Sequence, residues 1–249
     1  MSSIKRLLAL ITTMILVPVS ACAGDPGGVP TKAEESPANC GVVVDSTAFT
    51  KYEAAKDLVR QNLARFAQGC GWVSFALITG RSEGTPCQKP SFGLTATEED
   101  NPNHNPRVAE DFRQQRLASV VRFALELLAR CEADRSRGSD VLGAFRVISR
   151  KLAGAPDRRA KGRIIVFSDM FNNVGLLDLR DGDYSTPDSR RAKVEQLREN
   201  NLLPALTGSS VRIYGFNLES EIKADRVPQL EQLWRDILGA SGAGEITLS

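Results

Sequence analysis

The residues with the most chemistry to offer are Asp45, Thr47, Ser139 and Asp169. Asp45 closes the apolar run "CGVVVD" and is followed at once by the hydroxyls of "STAF"; Ser139 stands in "GSD", and Asp169 follows the apolar run of "RIIVFSD". Two carboxylates and two hydroxyls are hard oxygen donors, a set suited to Mg2+ or Mn2+ that keeps part of its water shell. Acids at such positions also cap helix N-termini and pin loops by hydrogen bonds, and the residue types alone leave both roles open.

Bond-breaking chemistry fits the same residues less well. An aspartate nucleophile after a first strand needs a second carboxylate two positions on, where Thr47 stands. A nucleotide-binding turn needs glycines, and "DSTAFT" has none. There is no GxSxG and no CxxC, and the single histidine, His104 in "NPNHNPR", reads as a solvated loop residue. The acidic stretch "DLRDGDYSTPD", with Asp178, Asp181, Asp183 and Asp188, lacks the closing glutamate of a calcium loop and reads as solvated. No catalytic residue is assigned, and the chain is not expected to be an enzyme.

The elements that must position the oxygen donors are legible as apolar runs of strand length: "GVVVD" (41–45), "WVSFALITG" (72–80), "RIIVFSD" (163–169), "VRIYGFN" (211–217) and "EITLS" (245–249). Continuous rather than alternating apolar strands indicate a sheet covered on both faces, hence parallel strands with helices on each side. Helical spacing runs from Tyr52 to Phe66, from Phe112 to about Cys131, over Val141 to Leu152, over Arg190 to Glu199, and from Leu230 to Ile237 behind Pro228. "SFGLTA" (91–96) has no helical period and reads as an antiparallel edge strand. The expected fold is α/β: a doubly wound, mostly parallel central sheet with one antiparallel edge strand and helices on both faces. In such a sheet the carboxyl ends of the strands carry the working loops, which would gather Asp45, Ser139 and Asp169 at one edge.

The N-terminal segment has a different character. Met1 to Ala21 reads as an export signal, with Lys5 and Arg6 before the apolar run "LLALITTMILV". It is too short and wrongly flanked for a lasting membrane span. "VSAC" resembles the lipobox of bacterial lipoproteins, which implies cleavage before Cys22 and a lipid on its thiol. Residues 22–39, rich in Gly, Pro and small polar side chains, read as a lipidated cysteine and flexible tether, and 40–249 as the folded domain. Removing Lys5 and Arg6 from the 32 basic residues leaves 30 against 30 acidic, so charge gives no reason to expect nucleic acid as a partner. With Cys22 lipidated, an even set of four cysteines remains in an oxidising compartment, where two disulfides are expected.

Taken in order, the strands, helices and strand-end residues resemble the von Willebrand factor A (vWA) domain family from about Cys40 to Ser249. That family builds a metal-ion-dependent adhesion site from DxSxS after the first strand, a Thr or Ser in a "GTD"-like turn, and an Asp in a "TDG"-like stretch. The resemblance implies Asp45 and Thr47 from "DSTAF", Ser139 from "GSD" and Asp169 from "FSDM" as the ligands of Mg2+ or Mn2+. Phe49 departs from the pattern, standing where the family has a ligating serine and adding bulk beside the site. The implied strand order also sets the cysteines: Cys40 and Cys70 would pair at the bottom of neighbouring parallel strands, and Cys87 with Cys131 at the top. The implied function is a lipid-anchored module of the bacterial cell envelope, on its periplasmic or extracellular face, that binds an unidentified protein partner. The alternative is a periplasmic small-ligand binding protein or degenerate hydrolase on a similar sheet.

Membrane association should therefore depend on Cys22. A Cys22→Ser variant is expected to move to the soluble fraction, checked by fractionation after an alkaline wash; retention in the membrane pellet would overturn the lipid anchor.

Overall fold

Six strands, five α-helices and four short 3-10 segments make up the regular structure of the described residues between 37 and 249. The structure, a computed structural model, describes residues 37–249 apart from 52, 131–136, 181 and 219–221. The expected signal, Cys22 and most of the tether, and also Cys131, lie outside the described residues.

Strand β1 (Ala38–Asp45) leads through a short 3-10 turn to α1 (Glu53–Ala67), then β2 (Cys70–Ile78), the two-residue β3 (Phe92–Gly93), α2 (Pro106–Arg130) and α3 (Val141–Ala153). There follow β4 (Gly162–Phe167), α4 (Pro187–Glu199), β5 (Ser210–Tyr214), α5 (Val227–Ala240) and β6 (Glu245–Leu248). The sheet order is β3-β2-β1-β4-β5-β6, parallel throughout except for β3, which pairs antiparallel with β2. The chain thus builds outward from β1 in one direction and from β4 in the other. The point where the order reverses lies between the carboxyl ends of β1 and β4, the place where an open α/β sheet leaves a crevice.

Alternate side chains of the central strands feed two cores. Val42 and Val44 of β1 and Ile165 and Phe167 of β4 pack under α1 and α2, while Val43, Ile164 and Val166 face α3, α4 and α5. Burial on both faces is why the strands read as unbroken apolar runs rather than as alternating ones. Two helices begin earlier than their apolar stripes: α2 opens at Pro106 and α4 at Pro187, each with a first turn that carries no core residue. The edge strand is shorter than "SFGLTA" suggests, since only Phe92 and Gly93 join the ladder opposite Val73 and Trp72.

Beyond β3 the outer side of β2 is an open edge, and a cation lies on it. Lys151 of α3 donates from Nζ to the main-chain oxygen of Phe75 at 2.8 Å, and burial pulls its ammonium pKa down. At the opposite edge Arg235 of α5 donates from Nη1 to the main-chain oxygen of Ile246 in β6 at 3.0 Å. Both blunt strand edges that would otherwise present unpaired carbonyls.

Cys40 and Cys70 form a disulfide with their Cα atoms 5.7 Å apart. The first strand begins two residues before Cys40, so the cysteine lies within β1, and the β1–β2 pairing slips between Ala38 and Asn39. Cys87 is also disulfide-bonded; its expected partner, Cys131, lies outside the described residues. A disulfide in the core fits an oxidising compartment, and no described helix is long and apolar enough to cross a membrane. Because the Cys40–Cys70 bond closes a 30-residue separation, replacing both cysteines by alanine should cost about 2–4 kcal/mol, read as a lower urea midpoint at unchanged slope.

Candidate functional site

The last residue of β1 is an acid with no exposure to solvent. Asp45 stands at the switch point, one step beyond the Val44–Phe167 pair that aligns β1 with β4. That register sets Ser168 opposite it, and the Ser168 hydroxyl donates to Asp45 Oδ2 at 2.7 Å. Its other oxygen is used by the chain that follows: the Thr47 amide and hydroxyl donate to Oδ1 at 2.9 and 2.6 Å, turning the backbone out of the strand. The proton of Thr47 being used on Asp45, the hydroxyl of Ser139, 2.7 Å away, donates to Thr47 in turn. Ser139, Thr47, Asp45 and Ser168 therefore form one line of hydrogen bonds across three connections.

Ser139 is carried to this line by the turn before α3. Asp140 caps that helix by accepting from the Gly143 amide at 2.9 Å, and its own amide donates to the Thr79 carbonyl just past the end of β2 at 2.7 Å. Ser82 adds two bonds, its amide to Asp140 Oδ2 and its hydroxyl to the Asp140 carbonyl. From the other side, Asn173 Oδ1 accepts the Ser139 amide at 2.7 Å and Asn172 Oδ1 the Leu142 amide at 3.0 Å. Gly138 permits this clamp: its φ is +99°, and a Cβ there would sit 2.7 Å from Asn173 Oδ1.

Asp169 follows Ser168 and is partly buried. Its Oδ1 accepts the Phe171 amide at 2.9 Å, folding the carboxylate over the start of the β4–α4 connection. The next residue, Met170, is fully buried in the left-handed region at φ 64°, held by its amide on Ser168 Oγ and by Trp234 Nε1 on its carbonyl. A non-glycine residue in that conformation is strained, and here it is fixed by bonds from both sides.

Burial pushes the Asp45 carboxyl above the usual range, opposed by the hydroxyls and amide that bond it. Asp169 is pushed up to about 7, first by burial and then by the negative charge of Asp45, against the single amide bond from Phe171. Among the described residues no cationic side chain enters the balance for either acid. Among the described residues no group of three or more His, Cys, Asp or Glu gathers for a metal, so the oxygen set here is two carboxylates completed by hydroxyls. Such a set suits a hard divalent cation and lacks the soft donors of a zinc site.

Phe49, expected to add bulk beside these oxygens, is a core residue. The 3-10 turn at Ala48–Lys51 directs its ring into the core under α1 and α2, where it is fully buried. It packs so closely on Gly215, whose φ is +85°, that a Cβ there would lie 2.7 Å from the ring. The position that the resemblance assigns to a ligand is therefore occupied by a packing residue. Of the acidic loop, Asp178 pairs with Arg180, Asp183 accepts from the Ser185 amide and hydroxyl, and Asp188 pairs with Arg191 on α4; Asp181 lies outside the described residues. His104 is exposed in the turn ahead of α2. Ser168, Asn172 and Asn173 are structural members of the site that the residue types alone did not single out.

The sequence matches no protein-family model and no curated protein.

The raised pKa of Asp169 has a consequence for stability whose sign can be tested. Its contribution to stability is complete below the unfolded value near 3.8 and is lost as pH rises through about 7, because the folded state then holds a charge that it solvates poorly. Asp169→Asn removes that dependence. In metal-free buffer the variant should gain about 1–3 kcal/mol on the wild type between pH 4 and pH 8, measured by urea unfolding at both ends.

Proposed function

We propose that the chain is a lipid-anchored, extracytoplasmic interaction module of vWA type that binds a carboxylate of a protein partner through a weakly held Mg2+ or Mn2+ ion. The observation that carries the reading is the meeting of Asp45 and Asp169 at the switch point, with Thr47 and Ser139 hydroxyls in the same bonded line and no cation among the described residues to balance the acids. Two carboxyls of raised pKa store a cost that a bound cation relieves. Asp45, Thr47, Ser139 and Asp169 would hold the ion, which would supply positive charge and a coordination position for an acidic group from outside.

The rest of the site supports binding rather than bond-breaking. Every polar group of the line is engaged in positioning the three connections, and none is poised as a nucleophile beside a base. The weakness of the ion site follows from Phe49, since the family's third hydroxyl is missing and water must complete the shell. Lipid attachment at Cys22 and the tether after it would hold the domain near a membrane, and the Cys40–Cys70 disulfide agrees with export.

Calorimetric titration of the protein with MgCl2 and MnCl2 tests the reading. Saturable binding with a dissociation constant of about 0.1–1 mM is expected for at least one of the two ions, together with a rise in melting temperature, and Asp169→Asn should remove both. If neither ion binds and the melting temperature of neither protein changes with ion concentration, the acids are loop pins and the metal-bridged mechanism is wrong.

A further inference from the structure

Both main-chain groups of Ser139 are spent on a single residue of another connection. Its amide donates to Asn173 Oδ1 at 2.7 Å, and its carbonyl accepts from the Asn173 amide at 3.1 Å. Gly138 leaves room for the pair, since a Cβ there would lie 2.7 Å from Asn173 Oδ1 and 2.5 Å from Val174 Cγ1. Asn173 is in turn held by the loop around it. The neighbouring Asn172 accepts the Leu142 amide at 3.0 Å, and its Nδ2 donates to the Val174 and Leu177 carbonyls at 2.9 and 2.8 Å. On its other side Ser139 leads into Asp140, whose amide is fixed on the Thr79 carbonyl at 2.7 Å. The Ser139 hydroxyl is thereby set 2.7 Å from that of Thr47.

Asp169 lies four residues before Asn173 on the same connection, so a hydroxyl and a carboxylate of the oxygen set are spaced by one short stretch of bonded chain. Spacing decides ion size. Metal–oxygen distances are about 2.0–2.1 Å for Mg2+ and about 2.3–2.6 Å for Ca2+, so each fixed ligand must give way by about 0.2–0.6 Å to admit the larger ion. Neighbouring corners of a Mg2+ octahedron lie about 2.9 Å apart, close to the 2.7 Å between Thr47 and Ser139. Ser139 cannot retreat by more without giving up its bonds to Asn173, and rigidity of this kind separates the two ions.

We propose that Asn173 sets the ion selectivity of the site: without being a ligand, it holds the Ser139 hydroxyl at the spacing that a small divalent cation needs and that Ca2+ exceeds. The proposal rests on the reading of Asp45, Thr47, Ser139 and Asp169 as ion ligands. Asn173 is a positioning residue. Removing its side chain leaves every ligand in place and frees Ser139 to move outward, which loosens the fit of the small ion and admits Ca2+.

The test is calorimetric titration of the full-length protein in mild detergent with MgCl2, MnCl2 and CaCl2, read as the affinity of Ca2+ relative to that of the tighter small ion. Wild type should bind Ca2+ at least about tenfold more weakly. Asn173→Ala, which removes the acceptor, and Asn173→Gln, which displaces it by one methylene, should each narrow that gap about fivefold or more. Asn173→Asp keeps an acceptor at the same reach and should hold the gap within about twofold, because its added charge acts on all three ions and cancels in the ratio. Asn173→Gln carries the test if Asn173→Ala does not fold. A lower melting temperature in these two variants with the ratio unchanged would make Asn173 a structural residue only and overturn the proposal. It is equally overturned if wild type binds Ca2+ as tightly as the small ions, or if Asn173→Asp narrows the ratio as much as the other variants. Failure of wild type to bind any of the three ions removes the ion site itself, and this proposal with it.

Discussion

A carboxylate with no access to water sits at the reversal point of the sheet, and three connections are organised around it. Asp45 accepts from Thr47 on its own connection and from Ser168 on the β4 connection, and through Thr47 it reaches Ser139 ahead of α3. A buried acid is tolerable only when its oxygens are satisfied, so its neighbours are constrained in type and direction. The register of β1 against β4 makes the Ser168 contact, and the Asp140 cap with its bonds to Thr79 and Ser82 makes the Ser139 contact. Loosening the first would leave Asp45 short of a donor, and loosening the second would take the Ser139 hydroxyl away from Thr47.

The same economy explains why the β4–α4 connection is so heavily bonded. Met170 holds a left-handed conformation, Asn172 spans to α3 and to the Val174 and Leu177 carbonyls, and Asn173 exchanges bonds with Ser139 in both directions. Rigid backbone there keeps Asp169 close to Asp45 despite their mutual repulsion. A surface built this way is pre-organised: little ordering remains to be done when something binds.

The architecture was largely readable because its signals are local. A parallel strand buried on both faces is an unbroken apolar run whatever its neighbours, and the stripes of α1, α3 and α5 mark themselves by spacing. Boundaries were lost where local signals vanish, as in the first turns of α2 and α4, which bury nothing in the core, and in an edge strand reduced to Phe92 and Gly93 by its short pairing with β2. The acids and hydroxyls at the strand ends were visible as types in sequence. Their wiring was not, because the roles of Ser168, Asn172 and Asn173 exist only once β1, β4 and α3 are docked in register. Phe49 shows the limit most plainly: a one-turn 3-10 segment decides whether position 49 faces the oxygens or the core, and nothing in "STAFT" states that choice.

The two cations lying on the sheet's outer carbonyls bear on how the protein behaves when copies crowd together. A nearly neutral chain, formally +2 over 249 residues, has little electrostatic repulsion to hold its copies apart. Lys151 and Arg235 each occupy a main-chain oxygen that an incoming strand would need, and each is anchored to a helix packed on the sheet. Resistance to polymerisation through the sheet is thus supplied by two short-range contacts rather than by surface charge, and it should persist at ionic strengths that screen ordinary repulsion.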